Sequence, residues 1–165
     1  MKCLIAFAGL ILFGLPCFGG EPSTDTLAGK SVKHFKDIAP TVSLPHHFEG
    51  LYPSLNPQSE SHYEFILNNR FSPIRITYFD KLGKITNTPD NWAVLKMTYD
   101  EKSRLTESAF YRANGDLVVS KSLRFAREVV EYDEMGGVKQ TFYNPKGKPL
   151  KSPQKDWRSD FPESL

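Results

Sequence analysis

Apolar and polar residues alternate along the middle of the chain, which is the pattern of strands that bury one face. The alternation first appears over residues 61–67 and resumes over residues 72–79. In both segments every second residue is apolar or aromatic: Tyr63, Phe65, Leu67, Ile74, Ile76 and Tyr78. Asn68 and Asn69 between them are residues that favour turns. The pattern therefore predicts two strands joined by a turn.

A short sequence motif, which we call the phrase, then recurs five times, at residues 79–83, 99–103, 111–115, 132–136 and 143–147. It begins with an aromatic residue, which is followed in most copies by Asp or Asn. Two further residues come next, and Gly or Ser ends it. A type I turn favours Asp or Asn first, Pro second and Gly fourth, and Asn144, Pro145 and Gly147 meet all three preferences. The phrase predicts five hairpin turns. Their turn-forming residues are Asp80, Gly83, Asp100, Gly115, Asp133, Gly136, Asn144 and Gly147.

The turns belong to two interleaved series. Tyr78, Phe110 and Phe142 are spaced by 32 residues, whereas Ala93 and Ala126 are spaced by 33. Fixed self-similarity is the signature of a repeat architecture. The predicted strands are roughly 92–99, 104–111, 117–119, 124–132 and 138–143, with a short piece near 149–150. The fold class is therefore all-β: an antiparallel meander of repeated β-hairpins over residues 60–150, forming one curved sheet.

The period of two also predicts which side chains share a face. Tyr78, Phe110 and Phe142 are expected on one face and their neighbours Phe79, Tyr111 and Tyr143 on the other. Two apolar sets are expected to share faces, namely Leu95 with Met97 and Tyr99, and Leu105 with Ala109 and Tyr111. The polar set expected against them is Lys96, Thr98, Arg124, Glu128, Glu131, Lys139 and Gln140. One face is therefore mostly apolar, and the leader of the repeats is expected to close it off.

The N-terminus has the form of an export signal. Lys2 supplies a positive charge, residues 4–15 are almost entirely apolar, and Gly19 and Gly20 suit a cleavage site before Glu21. The apolar run is shorter than the ~20 residues that span a bilayer. Removal of residues 1–20 would leave no cysteine, and the chain is expected to be periplasmic or secreted. The alternative is a lipid anchor on Cys17, although Gly14 and Pro16 do not fit that signal.

The segments on either side of the repeats give weaker patterns. Within the leader, residues 21–59, Thr24 or Asp25 would cap a short helix whose apolar side is Leu27, Val32, Phe35 and Ile38. Pro40 would end that helix, and the proline-rich stretch up to Pro57 is expected to be extended and irregular. The C-terminal tail, residues 151–165, is expected to be disordered unless Trp157 and Phe161 dock.

Charge and residue spacing exclude several kinds of site. Lys and Arg total 21 against 19 for Asp and Glu, which gives a net charge of only +2 and argues against a nucleic-acid binder. The four histidines lack any ligand spacing, so no metal site is predicted. Asp80, Asp100 and Asp133 are explained as turn residues that accept backbone hydrogen bonds. No phosphate loop or nucleophile motif is present, and no cofactor is expected.

One copy of the phrase carries a family resemblance. Residues 99–106 read Tyr-Asp-Glu-Lys-Ser-Arg-Leu-Thr, which resembles the YDxxGRLT repeat of RHS-type bacterial surface proteins, with Ser103 in place of the glycine. With a second arm ending in Tyr-x-x-x-Gly, residues 75–150 are similar to the YD-and-YxxxG hairpin repeats of many exported bacterial proteins, and more distantly to MORN-type repeats. The resemblance implies a hairpin array and a binding or shell role. Two and a half units are too few for the closed shell of the RHS family.

These patterns favour a non-catalytic binding module that recognises a protein or glycan of the cell envelope. Its predicted contact residues, on an aromatic and basic sheet face, are Trp92, Tyr111, Arg124, Arg127, Lys139 and Tyr143. The alternatives are a structural envelope component without a discrete ligand and, less favoured, an exported hydrolase. Because open sheet edges accept further strands, we also expect either weak self-association or an edge that the proline-rich leader covers.

Overall fold

A computed structural model describes residues 30–41 and 45–151. These residues form one open sheet of eight antiparallel strands, in the order β2-β1-β3-β4-β5-β6-β7-β8. The strands are β1 (Ser31–Pro40), β2 (Phe48–Pro53), β3 (His62–Leu67), β4 (Pro73–Phe79), β5 (Val94–Tyr99), β6 (Leu105–Tyr111), β7 (Arg127–Tyr132) and β8 (Val138–Tyr143). The predicted all-β antiparallel meander is confirmed.

Two expectations for the ends of the chain lie outside the described residues. They are the export signal of residues 1–20, with Cys3 and Cys17, and the tail beyond Lys151. Over the described ranges, no helix has the length and apolar character needed to cross a membrane.

The leader is built into the sheet, and the prediction of a helix there is wrong. Ser31–Pro40 forms β1, which pairs with β2 on one side and with β3 on the other. The ladder with β3 covers Ser31–Phe35 and the ladder with β2 covers Phe35–Pro40. The Phe35 ring packs edge-on against the Phe65 ring, with centroids 4.9 Å apart. Tertiary pairing of this kind overrides a weak helical pattern. The stretch predicted to be irregular, 40–57, likewise contains β2.

The five predicted turns share one geometry. In each, the N–H of the fourth residue donates to the carbonyl of the first, over 2.9–3.2 Å. The fourth residue has positive φ in every copy, from 64° at Ser103 to 90° at Gly115. This is the arrangement of a three-residue hairpin loop, a type I turn followed by a left-handed residue. The Asp80 carboxylate also accepts from the N–H groups of Leu82 and Lys84, as predicted for an aspartate at the first position.

The one-residue difference between the two series has a structural cause. The short arms predicted near 117–119 and 149–150 are present as isolated antiparallel bridges at Leu117 and Pro149, and a corresponding bridge at Ile85 was not predicted. After each of the first two arms, at Ile85 and Leu117, a loop leads to the next strand, and the N–H of its first residue donates to the carbonyl of a buried aromatic residue. In the first loop the Thr88 N–H donates to the Trp92 carbonyl. In the second loop the Ser120 N–H donates to the Phe125 carbonyl, so the second loop is one residue longer. The extra residue converts the period of 32 into 33.

The core lies on one face of the sheet. Phe65, Ile76, Leu95 and Phe110 stand directly opposite one another on β3, β4, β5 and β6 and are buried. The start of β2 reaches over this face, because Phe48 packs edge-on against Phe110 with ring centroids 6.1 Å apart. A flat sheet would not bring its edge strand near its centre, so the sheet curves around this core. As expected, the described residues of the leader cover part of the apolar face of the sheet.

The predicted sharing of faces needs three corrections. A bulge between Thr98 and Tyr99 shifts the register, so that Leu105 points into the core and not with Tyr111. Glu128 and Gln140 pair with core-facing positions and hydrogen-bond to each other at 2.8 Å. The change at Leu105 cannot be read from the alternation, because a single inserted residue reverses the face of everything beyond it.

Candidate functional site

The side of the sheet opposite the core carries a row of cationic residues. Arg75, Lys96, Ala109, Arg127 and Tyr143 stand directly opposite one another on the five strands β4 to β8. Because these residues alternate with core residues along each strand, their side chains project from the opposite face. We call this surface the outer face and define it by Lys96, Tyr111, Arg127, Lys139 and Tyr143.

Two cations of the outer face lie over tyrosine rings. The Lys96 Nζ is 4.9 Å from the centroid of the Tyr111 ring, and the Arg127 Cζ is 4.6 Å from the centroid of the Tyr143 ring. Such pairs contribute roughly 0.5–1 kcal/mol at exposed sites. Lys96 is exposed, and the two tyrosines are half-buried. The outer face therefore presents two tyrosine rings, each with a positively charged group next to it.

Carboxylates neutralise part of this charge. Glu107 lies 3.7 Å from Arg127, and Glu131 lies 2.7 Å from Lys139. The hydrogen bond from Lys139 to Glu131 raises the pKa of the lysine, and the negative charge of Glu131 adds to that effect. Within the part of the chain that the structure describes, no carboxylate pairs with Lys96. The positive charge available to a ligand is therefore concentrated near Lys96 and Tyr111.

The structure brings together only some of the predicted contact residues. Tyr111, Arg127 and Tyr143 lie side by side on β6, β7 and β8. Lys139 shares their face, farther along β8, where it pairs with Glu131. Arg124 lies apart in the loop before β7, at a positive φ of 62°. Its predicted position within a strand is wrong.

The prediction that Trp92 lies on an exposed face is also wrong. Its side chain is 3% exposed, and its Nε1 donates to the Asp90 carboxylate over 2.8 Å. The ring packs against Phe110, with centroids 5.6 Å apart. Trp92 ends its loop at the position that corresponds to Phe125, and both residues are buried where the chain enters the next strand. A tryptophan at this repeated position is therefore part of the core.

Arg75 and Lys96 belong to the row and were not among the predicted contact residues. The sequence contains a signal for both, because Lys96 lies between Leu95 and Met97, and Arg75 lies between Ile74 and Ile76. A charged residue flanked by apolar ones in a strand marks the solvated face. The cross-strand pairing of Arg75 with Lys96 was not available from the sequence, since it depends on the register of β4 and β5.

A third cation–aromatic pair lies at the opposite ends of the strands. Arg104 stacks over Tyr132 at 4.2 Å and binds the Asp100 carboxylate through its Nε and a terminal nitrogen, each at 2.7 Å. The pKa of Asp100 is lowered, first by the hydrogen bond from the Arg104 backbone N–H and then by the guanidinium group. An open groove of about 500 Å³ borders this pair and is lined by Glu134, Met135 and other turn residues.

Glu128 is fully buried, so the expectation that it is solvated is wrong. Its carboxylate accepts a hydrogen bond from Gln140 at 2.8 Å and lies 3.4 Å from the Ser108 hydroxyl. The His46 Nδ1 approaches it at 3.4 Å from the turn before β2. These four polar groups satisfy one another inside the core.

The cluster around Glu128 does not have the order of a catalytic triad. In a triad the histidine lies between the hydroxyl and the carboxylate, whereas here both Ser108 and His46 contact the carboxylate. Ser108 is as deeply buried as Glu128, and neither lines the groove beside Arg104 or the open groove lined by Arg112, Asp116 and Pro145. The same ranges contain no group of three potential metal ligands. The cluster is best explained as a buried polar network that holds the leader against β7.

Comparisons of the chain with protein-family models, with curated proteins and with solved structures found no match.

Proposed function

We propose that the chain is an exported, non-catalytic binding module that recognises a protein or glycan of the cell envelope through its outer face. The observation that supports this function best is the adjacency of two cation–tyrosine pairs, Lys96 with Tyr111 and Arg127 with Tyr143, on the outer face, where Lys96 is exposed. Tyrosine and arginine are the residues that most often dominate binding energy at interfaces. The apolar face is unsuited to this role because the leader fills it.

Geometry favours the part of the outer face around Tyr111 as the centre of the contact. Lys96 extends over the Tyr111 ring without a carboxylate partner in the described ranges, whereas Arg127 shares its charge with Glu107. A tyrosine ring supplies a flat apolar surface and a hydroxyl group together, which suits both a sugar ring and a protein side chain. A ligand that carries acidic or hydroxyl groups would complement the lysine.

The proposal of export and of a YD-type repeat rests on the sequence. A signal over residues 1–20 would place the mature chain where envelope polymers and surface proteins are present. The repeat phrase, which resembles those of exported bacterial proteins, supports the same compartment. A glycan or protein of the envelope is therefore the class of ligand to be tested first.

One observation favours the alternative of a structural envelope component. The charged groups of the outer face are largely engaged with each other, through Glu107 with Arg127 and Glu131 with Lys139. Pairs of this kind across neighbouring strands stabilise a sheet without any ligand. The two functions predict different effects of removing Tyr111 and Tyr143: only the binding function predicts a loss of affinity for a ligand.

Retention of envelope fractions on the immobilised, purified chain tests the proposal. The probes are solubilised envelope polysaccharide and solubilised envelope protein, applied separately. The double variant Tyr111→Ala/Tyr143→Ala should reduce the affinity for the retained probe by about tenfold or more, because contact residues of this type cost at least about 1–2 kcal/mol when truncated. Tyr52→Ala is the matched control, since Tyr52 is 72% exposed and lies on β2.

Equal retention by the double variant and the native chain would contradict the use of the outer face. Failure of the native chain to retain either probe would favour the structural alternative. Unchanged unfolding midpoints would show that the variants remain folded.

A further inference from the structure

Arg75 and Lys96 form a like-charge pair on neighbouring strands. They stand directly opposite each other on β4 and β5, on the side of the sheet away from the core. Like charges in this arrangement destabilise a sheet. Within the ranges that the structure describes, neither residue forms an ion pair with a carboxylate, whereas Arg127 and Lys139 both do. The pair is therefore a concentration of positive charge that these residues leave uncompensated.

The charged ends of the two side chains flank Val94. The Arg75 Nε donates to the Thr77 hydroxyl at 3.0 Å, and the Lys96 Nζ lies 4.9 Å from the centroid of the Tyr111 ring. Thr77 and Tyr111 both stand opposite Val94, on β4 and β6 respectively. Because neighbouring strands are ~4.8 Å apart, each positive group lies about one strand spacing from Val94. An anionic group above Val94 would lie between the two.

Thr77 holds the guanidinium group of Arg75 in this position. Its side chain is fully buried, and its hydroxyl accepts the hydrogen bond from the Arg75 Nε. No further hydrogen bond engages this guanidinium group in the described part of the chain, so its two terminal nitrogens can donate to a ligand. Arginine is suited to carboxylate and phosphate groups because its N–H donors match their oxygens in pairs. The arrangement therefore leaves the anion-binding side of Arg75 available.

The character of this side of the sheet favours a polysaccharide over a protein as the partner. Protein interfaces usually have a core of apolar and aromatic side chains. Of the large apolar side chains that are exposed in the described residues, none lies on the side of β4 to β8 that carries Arg75. A sugar ring needs instead a flat ring with polar groups around it, which Tyr111 and Lys96 supply.

We propose that the outer face binds an acidic polysaccharide, and that Arg75 and Lys96 together hold one of its anionic groups, a carboxylate or a phosphate, above Val94. This inference rests on the proposed function, because it names the ligand class of the same face. The bound anion would relieve the repulsion between the two cations. Tyr111, next to Lys96, would contact the adjoining sugar ring.

Retention of envelope polysaccharide on the immobilised full chain tests the inference. The probes are the solubilised polysaccharide separated by anion exchange into an acidic and a neutral fraction, and the native chain should retain the acidic fraction. Arg75→Gln and Lys96→Gln should each lower the affinity for this fraction by about tenfold, because each removes a charge-assisted hydrogen bond. Lys102→Gln is the matched control, since Lys102 is exposed in the turn at the opposite end of β5 and should leave the affinity unchanged.

Two further variants separate the position of Arg75 from its charge. Thr77→Val keeps the charge and removes the hydroxyl group that holds the guanidinium, so the affinity for the acidic fraction should fall by about threefold. Glu64→Gln should raise that affinity, because Glu64 stands opposite Thr77 on β3 and its negative charge repels the ligand. Unchanged unfolding midpoints would show that each variant remains folded.

Chemical reduction of the carboxyl groups in the acidic fraction identifies the anion. Loss of retention after reduction would identify a carboxylate as the bound group, and unchanged retention would identify a phosphate.

Three results would overturn the inference. Retention of the acidic fraction that falls in Tyr111→Ala/Tyr143→Ala but not in Arg75→Gln or Lys96→Gln would overturn it and leave the proposed function in place. Equal retention of the acidic and neutral fractions by the native chain would have the same consequence. Failure of the native chain to retain any envelope polysaccharide or protein would remove the inference and the proposed function together.

Discussion

At the scale of single residues, the aromatic position of the repeated phrase has two roles. Tyr99 turns toward the core side, and its hydroxyl donates to the Pro73 carbonyl at 2.9 Å. Tyr132 does the same with the Leu105 carbonyl at 3.0 Å. Tyr111 and Tyr143, in the other series, project from the outer face. The phrase predicts the turn equally well in both series, but the register decides which face the ring occupies.

Burial of Tyr99 should be visible in the pH dependence of stability. Burial raises the pKa of Tyr99 to about 12, whereas a tyrosine in the unfolded chain ionises near 10. The contribution of the protonated Tyr99 to the free energy of unfolding is therefore present in full below pH ~10 and is lost as the pH rises to about 12. Tyr99→Phe should make urea-unfolding midpoints fall less steeply between these pH values.

Tyr63 limits the size of that effect. Burial also raises its pKa to about 12, so Tyr99→Phe should remove only part of the alkaline loss of stability. Tyr52→Phe provides the control for loss of a hydroxyl group outside the core, because Tyr52 is 72% exposed. An alkaline slope in Tyr99→Phe identical to that of the native chain would contradict the burial argument.

At the scale of elements, turns were predictable and the leader was not. Turn residues act locally: the side chain of Asp100 accepts from the N–H groups of Lys102 and Arg104 within the same loop. Segment β1 depends instead on partners that are distant in sequence, since it lies between β2 and β3. Its apolar residues are compatible with a helix face, and only its pairing with β3 over Ser31–Phe35 and with β2 over Phe35–Pro40 selects the strand. Local chemistry can be read from a sequence with more certainty than long-range pairing.

The fourth residue of each turn has a left-handed backbone conformation, so substitutions there should change stability in opposite directions in two of the turns. Gly115→Ala should destabilise the protein by roughly 1–2 kcal/mol, because φ there is 90° and a Cβ is disfavoured in this region. The cost is conformational, since a Cβ at Gly115 would meet no atom within 4 Å. Ser103→Gly should stabilise it, by less than about 1 kcal/mol after the added freedom of the unfolded chain. Chemical denaturation measures both changes.

Lys81→Ala is the control for the turn variants, because Lys81 is exposed at a position of a matching turn without a glycine requirement. Its effect should stay within about 0.5 kcal/mol. If Gly115→Ala had no larger effect than Lys81→Ala, the left-handed geometry of that turn would be disproved. A loss of stability in Ser103→Gly would mean that the hydrogen bond from Arg70 to the Ser103 hydroxyl outweighs the strain.

At the scale of the whole molecule, the start of β2 and the described residues just before it pack across the core of the curved sheet. Phe48 packs against Trp92 and Phe110, and His46 packs against Phe125 and reaches Glu128. The first strands of the chain thereby contact its later strands across the core. This closure makes the described part of the leader a structural part of the repeat domain, on the side of the sheet opposite the outer face.

Truncation of Phe48 should therefore weaken the whole fold. Phe48→Ala is expected to lower the free energy of unfolding by about 3–5 kcal/mol, the cost of removing a buried phenylalanine from a core. Leu55→Ala is the control, because Leu55 is 91% exposed and should change stability by less than about 0.5 kcal/mol. Denaturant unfolding followed by circular dichroism measures both. A loss below about 1 kcal/mol in Phe48→Ala would show that the closure is not needed.

The sequence by itself determined the strands of the repeats, their turns and the antiparallel order of the array, because these depend on alternation and on turn residues close in the chain. Tertiary structure alone decided three matters. The leader became β1 and β2, Trp92 and Glu128 entered the core, and Lys96 and Arg127 came to share the outer face with Tyr111 and Tyr143. Each of these depends on register and on contacts between distant segments, which composition and periodicity do not specify.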